Sequence, residues 1–186
     1  GTGGQAATQL EAMLAVRDLE EVKVYDLNAE RLQAFVGQMN EELASYGAKI
    51  LAADSSDDAI EDADLIVTVT PSSRPVFDGS KVKQGATVSC VGSYQPHMQE
   101  MDPVILTRAS KIYFAGDILI PLEDGTITKD DFTGDLGDVL QGKVVARENE
   151  EEIIVFKTVG IGTQDLVTAK KIYDKALAQG VGTNWN

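Results

Sequence analysis

The sequence predicts an α/β fold built on a doubly wound parallel sheet, and three observations carry this prediction. Segments with a strand pattern alternate with segments of helical period along the whole chain. The runs 65–70 and 87–91 are rich in β-branched and apolar residues, which is typical of parallel strands buried on both faces. The chain also opens with a glycine-rich turn that leads into an amphipathic helix. Because alternating strands and helices form βαβ units, we expect a parallel sheet.

The opening segment, Gly1-Thr2-Gly3-Gly4-Gln5-Ala6, matches the pattern G-x-G-x-x-A. In dinucleotide-binding (Rossmann) folds, this pattern forms the turn between the first strand and the first helix. Gly1 permits a tight turn, Gly3 lets the backbone approach a pyrophosphate, and Ala6 lets the helix pack on the sheet. The helix then points its free N–H groups at the phosphates. The alternative is a flexible tail of small residues, which the following helix and Asp26, about 20 residues on, disfavour.

No strand pattern precedes Gly1, although the glycine turn normally follows a strand. In a doubly wound sheet that strand lies in the centre, so two neighbouring strands would lack partners without it. Each buried, unpaired backbone group costs roughly 1–3 kcal/mol. We therefore expect residues 1–186 to be a dinucleotide-binding domain whose first strand is missing, and which is the C-terminal part of a longer chain.

The first half of the chain shows strong boundary signals for its helices and strands. Asn28 is a good helix cap, Gly47 a good helix end, and Pro71 stops the strand before it. In chain order we expect a helix over 5–16, a strand over 21–26, a helix from Asn28 to Gly47, a strand over 49–53, a short acidic helix from Ser55 or Ser56 to Ala63, and a strand over 65–70.

The second half continues the alternation. Asp102 followed by Pro103 is a typical helix start, and we interpret the charge run 148–152 as a solvated turn. In chain order we expect a strand over 87–91, a helix over 101–110, a strand over 111–115, a turn at 123–125, a helix around 134–140, a strand over 153–157, and a closing helix from Thr163 or Gln164 to Gln179 that Gly180 ends.

Composition narrows the function classes. The chain is 43% hydrophobic and 25% charged, as in ordinary globular domains. Its net charge of −14 argues against nucleic acid or an anionic membrane as a partner. Cys90 is the only cysteine, so no internal disulfide can form, which fits a cytoplasmic protein. No apolar run approaches the ~20 residues of a membrane helix, and with one cysteine and one histidine we expect no metal site.

Parallel sheets bind ligands at the carboxyl ends of their strands, so the polar residues there are the site candidates. Asp26 ends the strand at 21–26, where a carboxylate accepts hydrogen bonds from the adenosine ribose and repels a 2′-phosphate. This favours NAD over NADP, since the nearest basic residue, Arg31, lies one helical turn further on. A helix-capping role for Asp26 is compatible with that assignment.

The ends of 65–70 and 87–91 add further candidates. Thr70, at the strand tip, can contact the ribose or the adenine-side phosphate, whereas Thr68 is equally well explained as a strand residue. Gly92 allows a close backbone approach, and Ser93 and Tyr94 offer hydroxyl groups. Tyr94 or His97 can relay protons.

Four further residues lie near predicted strand ends, and two of them have alternative interpretations. His97, the only histidine, either takes part in proton transfer or is a loop histidine near the pocket mouth. Thr158 can reach the nicotinamide carboxamide or ribose. Lys157 either pairs with an acid such as Asp165 or extends its ammonium into solvent. Cys90 lies inside a strand and is expected to be a small buried hydrophobe.

Taken together, these motifs resemble the ornithine cyclodeaminase/mu-crystallin family over essentially the whole chain. The segments that carry the resemblance are Gly1-Thr2-Gly3-Gly4-Gln5-Ala6, Val24-Tyr25-Asp26, Val91-Gly92-Ser93-Tyr94-Gln95-Pro96-His97-Met98-Gln99-Glu100, Gly116-Asp117-Ile118-Leu119-Ile120-Pro121 and Phe156-Lys157-Thr158-Val159-Gly160. The resemblance implies a homodimer whose N-terminal domain, outside this chain, makes the dimer contact and supplies most substrate-binding basic residues.

The resemblance also implies an NAD or NADP cofactor and places its contacts. The phosphates fall on the turn of Gly1, Gly3, Gly4 and Gln5, the adenosine ribose on Asp26, the nicotinamide half on Thr70, Val91, Gly92 and Ser93, and the ring near Thr158. In cyclodeaminases of the family, a catalytic Asp and a Lys stand where this chain has Tyr94 and Met98. Tyrosine, with a pKa near 10, is no anionic base at neutral pH. The family's reductases also lack that Asp and have a Gly-Ser-x-x-Pro run or a similar one, so the resemblance is closer to the reductases.

The resemblance therefore implies an NAD(P)-dependent oxidoreductase acting on the C–N bond of a small amino acid or cyclic imino acid, similar to the ketimine reductases. Tyr94 and Ser93 are the candidate catalytic residues, with NAD preferred over NADP as cofactor. Two alternatives stay open: an NAD-dependent ornithine cyclodeaminase, and a nonenzymatic dinucleotide-dependent binding protein.

Overall fold

The computed structural model describes residues 1–95, 97–115, 128–183 and Trp185. The helices of this part are α1 (Ala6–Val16), α2 (Ala29–Glu42), α3 (Ser56–Ile60), α4 (Pro103–Arg108), α5 (Leu136–Leu140) and α6 (Gly162–Ala178). The strands are β1 (Glu21–Val24), β2 (Lys49–Ala52), β3 (Leu65–Thr68), β4 (Thr87–Cys90), β5 (Lys111–Ala115), β6 (Gly134–Asp135) and β7 (Ile154–Thr158).

Every strand pairing in the described residues is parallel, which confirms the predicted α/β class. Strand β1 pairs with β2, and the remaining strands form a five-stranded sheet in the order β3-β4-β7-β5-β6. Because the strands within each sheet run the same way, their carboxyl ends lie along one edge of that sheet. The strand ends that the sequence singled out are therefore at the carboxyl edges of the two sheets.

The ends of the two sheets meet at Gly1. Its backbone nitrogen donates a hydrogen bond of 2.8 Å to the carbonyl of Tyr25, just past β1. A Cβ on Gly1 would lie 2.7 Å from the Cγ2 atom of Thr70, just past β3. The glycine turn therefore starts between the end of β1 and the end of β3. The strand expected before Gly1 stays a prediction.

Each sheet has its own apolar core. The larger core contains Val88 of β4, Val155 of β7 and Ile105 of α4, each without exposed surface. The smaller core joins α1 and α2 to the two-stranded sheet through residues such as Leu14 and Met39. Burial of these side chains, at about 25 cal/mol per Å² of apolar surface, is the main force that fixes the strands in register.

The predicted helix caps are confirmed. The Asn28 side chain accepts the Arg31 N–H at 2.8 Å, and the Ser55 hydroxyl accepts the Asp58 N–H at 3.0 Å. Asp102 accepts the Val104 N–H at 3.0 Å directly before α4. These side chains satisfy N–H groups that the first turn of a helix leaves free.

Several boundaries differ from the prediction. Helix α2 ends at Glu42, and a short 3₁₀ helix (Ala44–Tyr46) leads to Gly47, whose φ of 78° closes it. The charge run 148–152 is not a wholly solvated turn, because the Glu152 side chain is buried beside Lys111, with a closest N–O distance of 3.6 Å. The predicted turn at 123–125 and the motif 116–121 lie outside the described residues.

Candidate dinucleotide-binding site

The glycine turn forms an open cradle of backbone N–H groups. A Cβ on Gly3 or Gly4 would meet no atom within 4 Å. Gln5, the residue before α1, makes no side-chain cap, and within the described residues the N–H groups of Gly3, Gly4 and Gln5 have no acceptor. Free N–H groups and the positive end of the α1 dipole favour an anion here. The turn therefore fits the pyrophosphate of a dinucleotide, as the sequence predicts.

Asp26 fastens this turn to the end of β1. Its Oδ2 accepts the Thr2 N–H and the Thr2 hydroxyl, both at 2.8 Å. Its Oδ1 accepts the Asn28 N–H at 2.9 Å and an N–H of Arg31 at 2.7 Å, and the same Arg31 nitrogen lies 2.9 Å from Oδ2. At least two acceptor positions on each oxygen are thus used by the chain itself. Sequence reasoning did not foresee this anchoring role.

The Asp26 carboxylate is strongly stabilised in its charged form. Its side chain is 3% exposed, and although burial alone raises its pKa, the hydrogen bonds from Asn28, Arg31 and Thr2 hold that pKa well below its usual range. The Arg31 side chain remains 58% exposed above it. The place of Asp26 at the site edge agrees with the prediction, and its contact with a ribose stays a prediction.

The backbones just past β3 and β4 lie in close contact. The N–H of Val91 donates to the carbonyl of Thr68 at 2.9 Å. A Cβ on Gly92 would overlap the carbonyl oxygen of Thr70. Only glycine fits this position, because any side chain would collide with the neighbouring backbone. The structure thus brings Thr70, Val91 and Gly92 together.

Glu100 fills the space beneath these two strand ends. It has no exposed surface, and its carboxylate accepts the N–H groups of Thr70 and Gly92 and the hydroxyl of Thr68. Its own N–H donates to the Ser93 hydroxyl oxygen at 2.9 Å. Sequence reasoning quoted Glu100 only as the last residue of a motif. Membership in that motif is the only sequence signal for Glu100, because hydrophobic periodicity does not identify a buried acidic residue in a loop.

Lys157 closes the site from β7. Its ammonium donates to the carbonyls of Ser93 at 2.8 Å and Thr158 at 3.0 Å, so neither predicted alternative, a pair with Asp165 or extension into solvent, describes it. Burial lowers the pKa of Lys157, and the nearby Cys90 and Glu100 oppose this shift. Thr158, half-buried at the end of β7, accepts the Gly160 N–H on its hydroxyl.

The remaining candidates differ in exposure. Tyr94 is 62% exposed, and His97 is exposed as well. The loop position of His97 agrees with the prediction, and its place near a pocket mouth and a part in proton transfer stay predictions. Ser93 is half-buried beside Glu100. Cys90 is fully buried, which confirms its predicted place in the core, and burial raises the pKa of its thiol to about 12.

The residues that the structure describes contain neither a metal site nor a membrane span. No group of three or more His, Cys, Asp or Glu side chains among them is placed to hold a metal ion. Within the same residues, no helix combines the length and the apolar character that crossing a bilayer requires.

A family model described as the ornithine cyclodeaminase/mu-crystallin family matches residues 1–180. The chain belongs to this family. Membership agrees with the motifs at the glycine turn and at the carboxyl ends of β4 and β7. The motif 116–121 also lies within the match, although outside the described structure.

Among curated members of the ornithine cyclodeaminase/mu-crystallin family, a Δ1-pyrroline-2-carboxylate reductase of Bacillus cereus is 36% identical over 191 residues. The alignment covers 98% of this chain and 58% of the relative. The chain thus spans a little over half the length of the curated relatives it matches.

Solved structures of related proteins are also similar to this chain. Δ1-pyrroline-2-carboxylate reductase of Thermococcus litoralis, in complex with NADH and L-proline, superposes with a TM-score of 0.91 at 33% identity. It is covered over 59% of its length, and all of this chain is aligned. A dimeric archaeal alanine dehydrogenase with bound NAD has a TM-score of 0.90 at 31% identity, with 100% of this chain and 58% of that one covered.

Proposed function

We propose that the full-length protein carrying this chain is an NAD(P)-dependent reductase of a small cyclic imino acid, with NADH as cofactor. Δ1-pyrroline-2-carboxylate is the candidate substrate. One observation carries the proposal: likeness to Δ1-pyrroline-2-carboxylate reductases runs along the whole chain, at 36% identity and, for a complex with NADH and L-proline, a TM-score of 0.91.

The described residues fit the group that such a reaction needs. A bound dinucleotide supplies the hydride that reduces the imine carbon. The free N–H groups of Gly3, Gly4 and Gln5 bind its pyrophosphate at the start of α1. Thr70, Val91, Gly92 and Thr158, at three adjacent strand ends, line the nicotinamide half.

Ser93 has a defined hydrogen-bonding polarity. Its oxygen accepts the Glu100 N–H, so its own hydrogen is available to a ligand or a water molecule. Reduction of an imine places a hydride on carbon and a proton on nitrogen. We assign the delivery of that proton to Ser93, through a bound water, or to the exposed hydroxyl of Tyr94.

The preference for NADH over NADPH rests on Asp26. Its buried, ionised carboxylate lies at the edge of the glycine turn, where negative charge repels a 2′-phosphate. Arg31, ion-paired to Asp26, offsets part of that repulsion. We therefore expect NADH to be preferred without complete exclusion of NADPH.

The cyclodeaminase alternative needs an acidic residue that this site lacks at the corresponding place. Tyr94 stands there, and Met98, at the position of the family's lysine, is buried. We also propose that the full-length protein is a homodimer, as the archaeal alanine dehydrogenase is a dimer, and that it works in the cytoplasm, where Cys90 stays a free thiol.

The test is a reduction assay with the full-length protein. Δ1-pyrroline-2-carboxylate is added with NADH and, separately, with NADPH, and the absorbance of the reduced cofactor is followed. We expect the reduced cofactor to be consumed only when the imino acid is present, and NADH to be consumed faster than NADPH.

Other outcomes identify what is wrong. Consumption only with NADPH would overturn the role given to Asp26. Release of ammonia from ornithine with catalytic NAD, and no imine reduction, would establish the cyclodeaminase alternative. Cofactor binding without either reaction would contradict the substrate proposal.

A further inference from the structure

We propose that Glu100 is a positioning residue for the nicotinamide half of the cofactor, because its buried carboxylate ties the end of β3 to the end of β4. This inference rests on the proposed function only in so far as a dinucleotide binds. It concerns a side chain that has no exposed surface and cannot itself touch the cofactor.

The carboxylate connects two strand ends that are far apart in sequence. One oxygen accepts the N–H of Thr70, two residues past β3. The other accepts the N–H of Gly92, two residues past β4, at 2.6 Å, and the Thr68 hydroxyl at 3.1 Å. Three donors thus converge on one acidic group. An ionised carboxylate is the side chain that can accept them all.

The neighbouring backbone packs tightly around the Glu100 carboxylate. A Cβ on Gly92 would lie 2.6 Å from the Glu100 carboxyl carbon and would overlap the Thr70 carbonyl oxygen. The main chain of Glu100 is fixed as well, since its N–H donates to Ser93 and its carbonyl accepts the Val76 N–H at 2.9 Å. The two strand ends therefore share one position, set by Glu100 from below.

A positive group faces the same cluster from β7. The Lys157 ammonium is bonded to the carbonyl of Ser93. Burial lowers the pKa of Lys157, and the nearby charge of Glu100 opposes that shift. Glu100 and Lys157 together fix Ser93 on both sides, through its hydroxyl and its carbonyl. The residues proposed to line the nicotinamide half are thereby held to one another.

The positioning role predicts an unequal effect on NADH and ADP binding, which a general loss of stability would not produce. Gly3, Gly4 and Gln5, which are proposed to bind the pyrophosphate, make none of these contacts with Glu100, although Gly1 lies against Thr70. We therefore expect a change at Glu100 to affect the nicotinamide half of the cofactor more than the pyrophosphate. ADP carries the adenosine and both phosphates, whereas NADH also carries the nicotinamide half. The ratio of their dissociation constants therefore reports on Glu100.

The experiment measures binding of NADH and of ADP to the full-length protein by calorimetry. In Glu100→Gln, an amide NH₂ replaces one oxygen and meets a donor. We expect the Kd for NADH to rise about tenfold, as for loss of a charge-assisted hydrogen bond, and the Kd for ADP to change less than about twofold. The matched control is Glu152→Gln, which alters another buried carboxylate, before the amino end of β7, and should change neither Kd.

Two further variants keep the test decisive if Glu100→Gln does not fold. Thr68→Val removes one of the three donors with little change in shape and should weaken NADH about threefold relative to ADP. Glu100→Asp keeps the charge but is too short to span both strand ends, and should act in the same direction.

The outcomes separate the two proposals. Equal losses for NADH and ADP, or no loss for NADH, would overturn the positioning role of Glu100. A wild-type protein that binds no NADH would overturn the proposed function and this inference together. NADH binding with the expected ratio, but no imine reduction, would refute only the substrate.

Discussion

Replacing Asp26 by asparagine tests the anchoring of the glycine turn. Each carboxylate oxygen accepts at least two donors, from Thr2 on one side and from Asn28 and Arg31 on the other. Whichever oxygen becomes an NH₂ group then faces at least two donors, so at least two hydrogen bonds to a charged group are lost. At about 1.5 kcal/mol each, the lower end of the range for such bonds, Asp26→Asn should lower the free energy of unfolding by about 3 kcal/mol.

The pH dependence provides a second, independent sign. Because the pKa of Asp26 is lowered on folding, its contribution is fully present above the unfolded-state value of about 3.9. The contribution is lost as the pH falls through the lower folded-state value. The difference between wild type and Asp26→Asn should therefore be constant from about pH 8 to 5 and should shrink below about pH 4.

Urea unfolding of the full-length protein without cofactor, followed by circular dichroism, measures both effects. The matched control is Asp64→Asn, because Asp64 forms an exposed ion pair with Lys83 and should contribute less than about 1 kcal/mol. The reasoning is refuted if the two variants lose equal stability, or if the loss in Asp26→Asn does not depend on pH.

Three further changes probe other parts of the fold. Gly92→Ala places a methyl group against a backbone oxygen and should cost more than about 3 kcal/mol, whereas Gly37→Ala, in open space on α2, should stabilise by about 0.5–1 kcal/mol; urea unfolding compares them. Cys90, fully buried with its pKa raised to about 12, should react with a thiol reagent only in denaturant, and rapid labelling of the folded protein would contradict its burial. Lys111→Met removes the cation that pairs with Glu148 and Glu152 and should destabilise the fold, a loss that calorimetric unfolding would detect.

Local rules account for most of the predicted fold. Caps at Asn28 and Asp102 depend on contacts within three residues, so a sequence contains the whole signal. Strand segments were found because burial on both faces leaves an apolar run. The end of α2 was missed because a 3₁₀ turn separates Glu42 from the glycine that closes it, and propensity does not distinguish the two helix types.

The closing helix shows where such rules end. Its apolar residues recur with helical period, as the sequence indicates, yet α6 has no buried residue in the structure. Leu166 and Ile172 are largely exposed. Periodicity predicts that a helix has an apolar face, and it says nothing about what that face contacts.

Some residues of the candidate site were predictable from the sequence, and others depend on tertiary contacts. Asp26 and Gly92 were predicted from where strands end, since topology alone places them at the carboxyl edge. The role of Glu100 was not predicted, because its three donors come from two strand ends at least 8 residues away in the sequence. These donors reach Glu100 only after the sheet has formed. Acidic residues in loops are usually exposed to solvent, so the burial of Glu100 depends on tertiary contacts that the sequence does not reveal.

Two separate carboxylates fix the two parts of the proposed cofactor site. The glycine turn is fastened to β1 by Asp26, and the β3 and β4 ends are fastened to each other by Glu100. Among the hydrogen bonds of the described residues, the two carboxylates share no partner. We expect Asp26→Asn and Glu100→Gln to act additively on the free energy of NADH binding, as substitutions at sites that share no partner and do not couple through their neighbours do. A double variant that binds NADH more tightly than the product of the single effects allows would show that the two parts move as one.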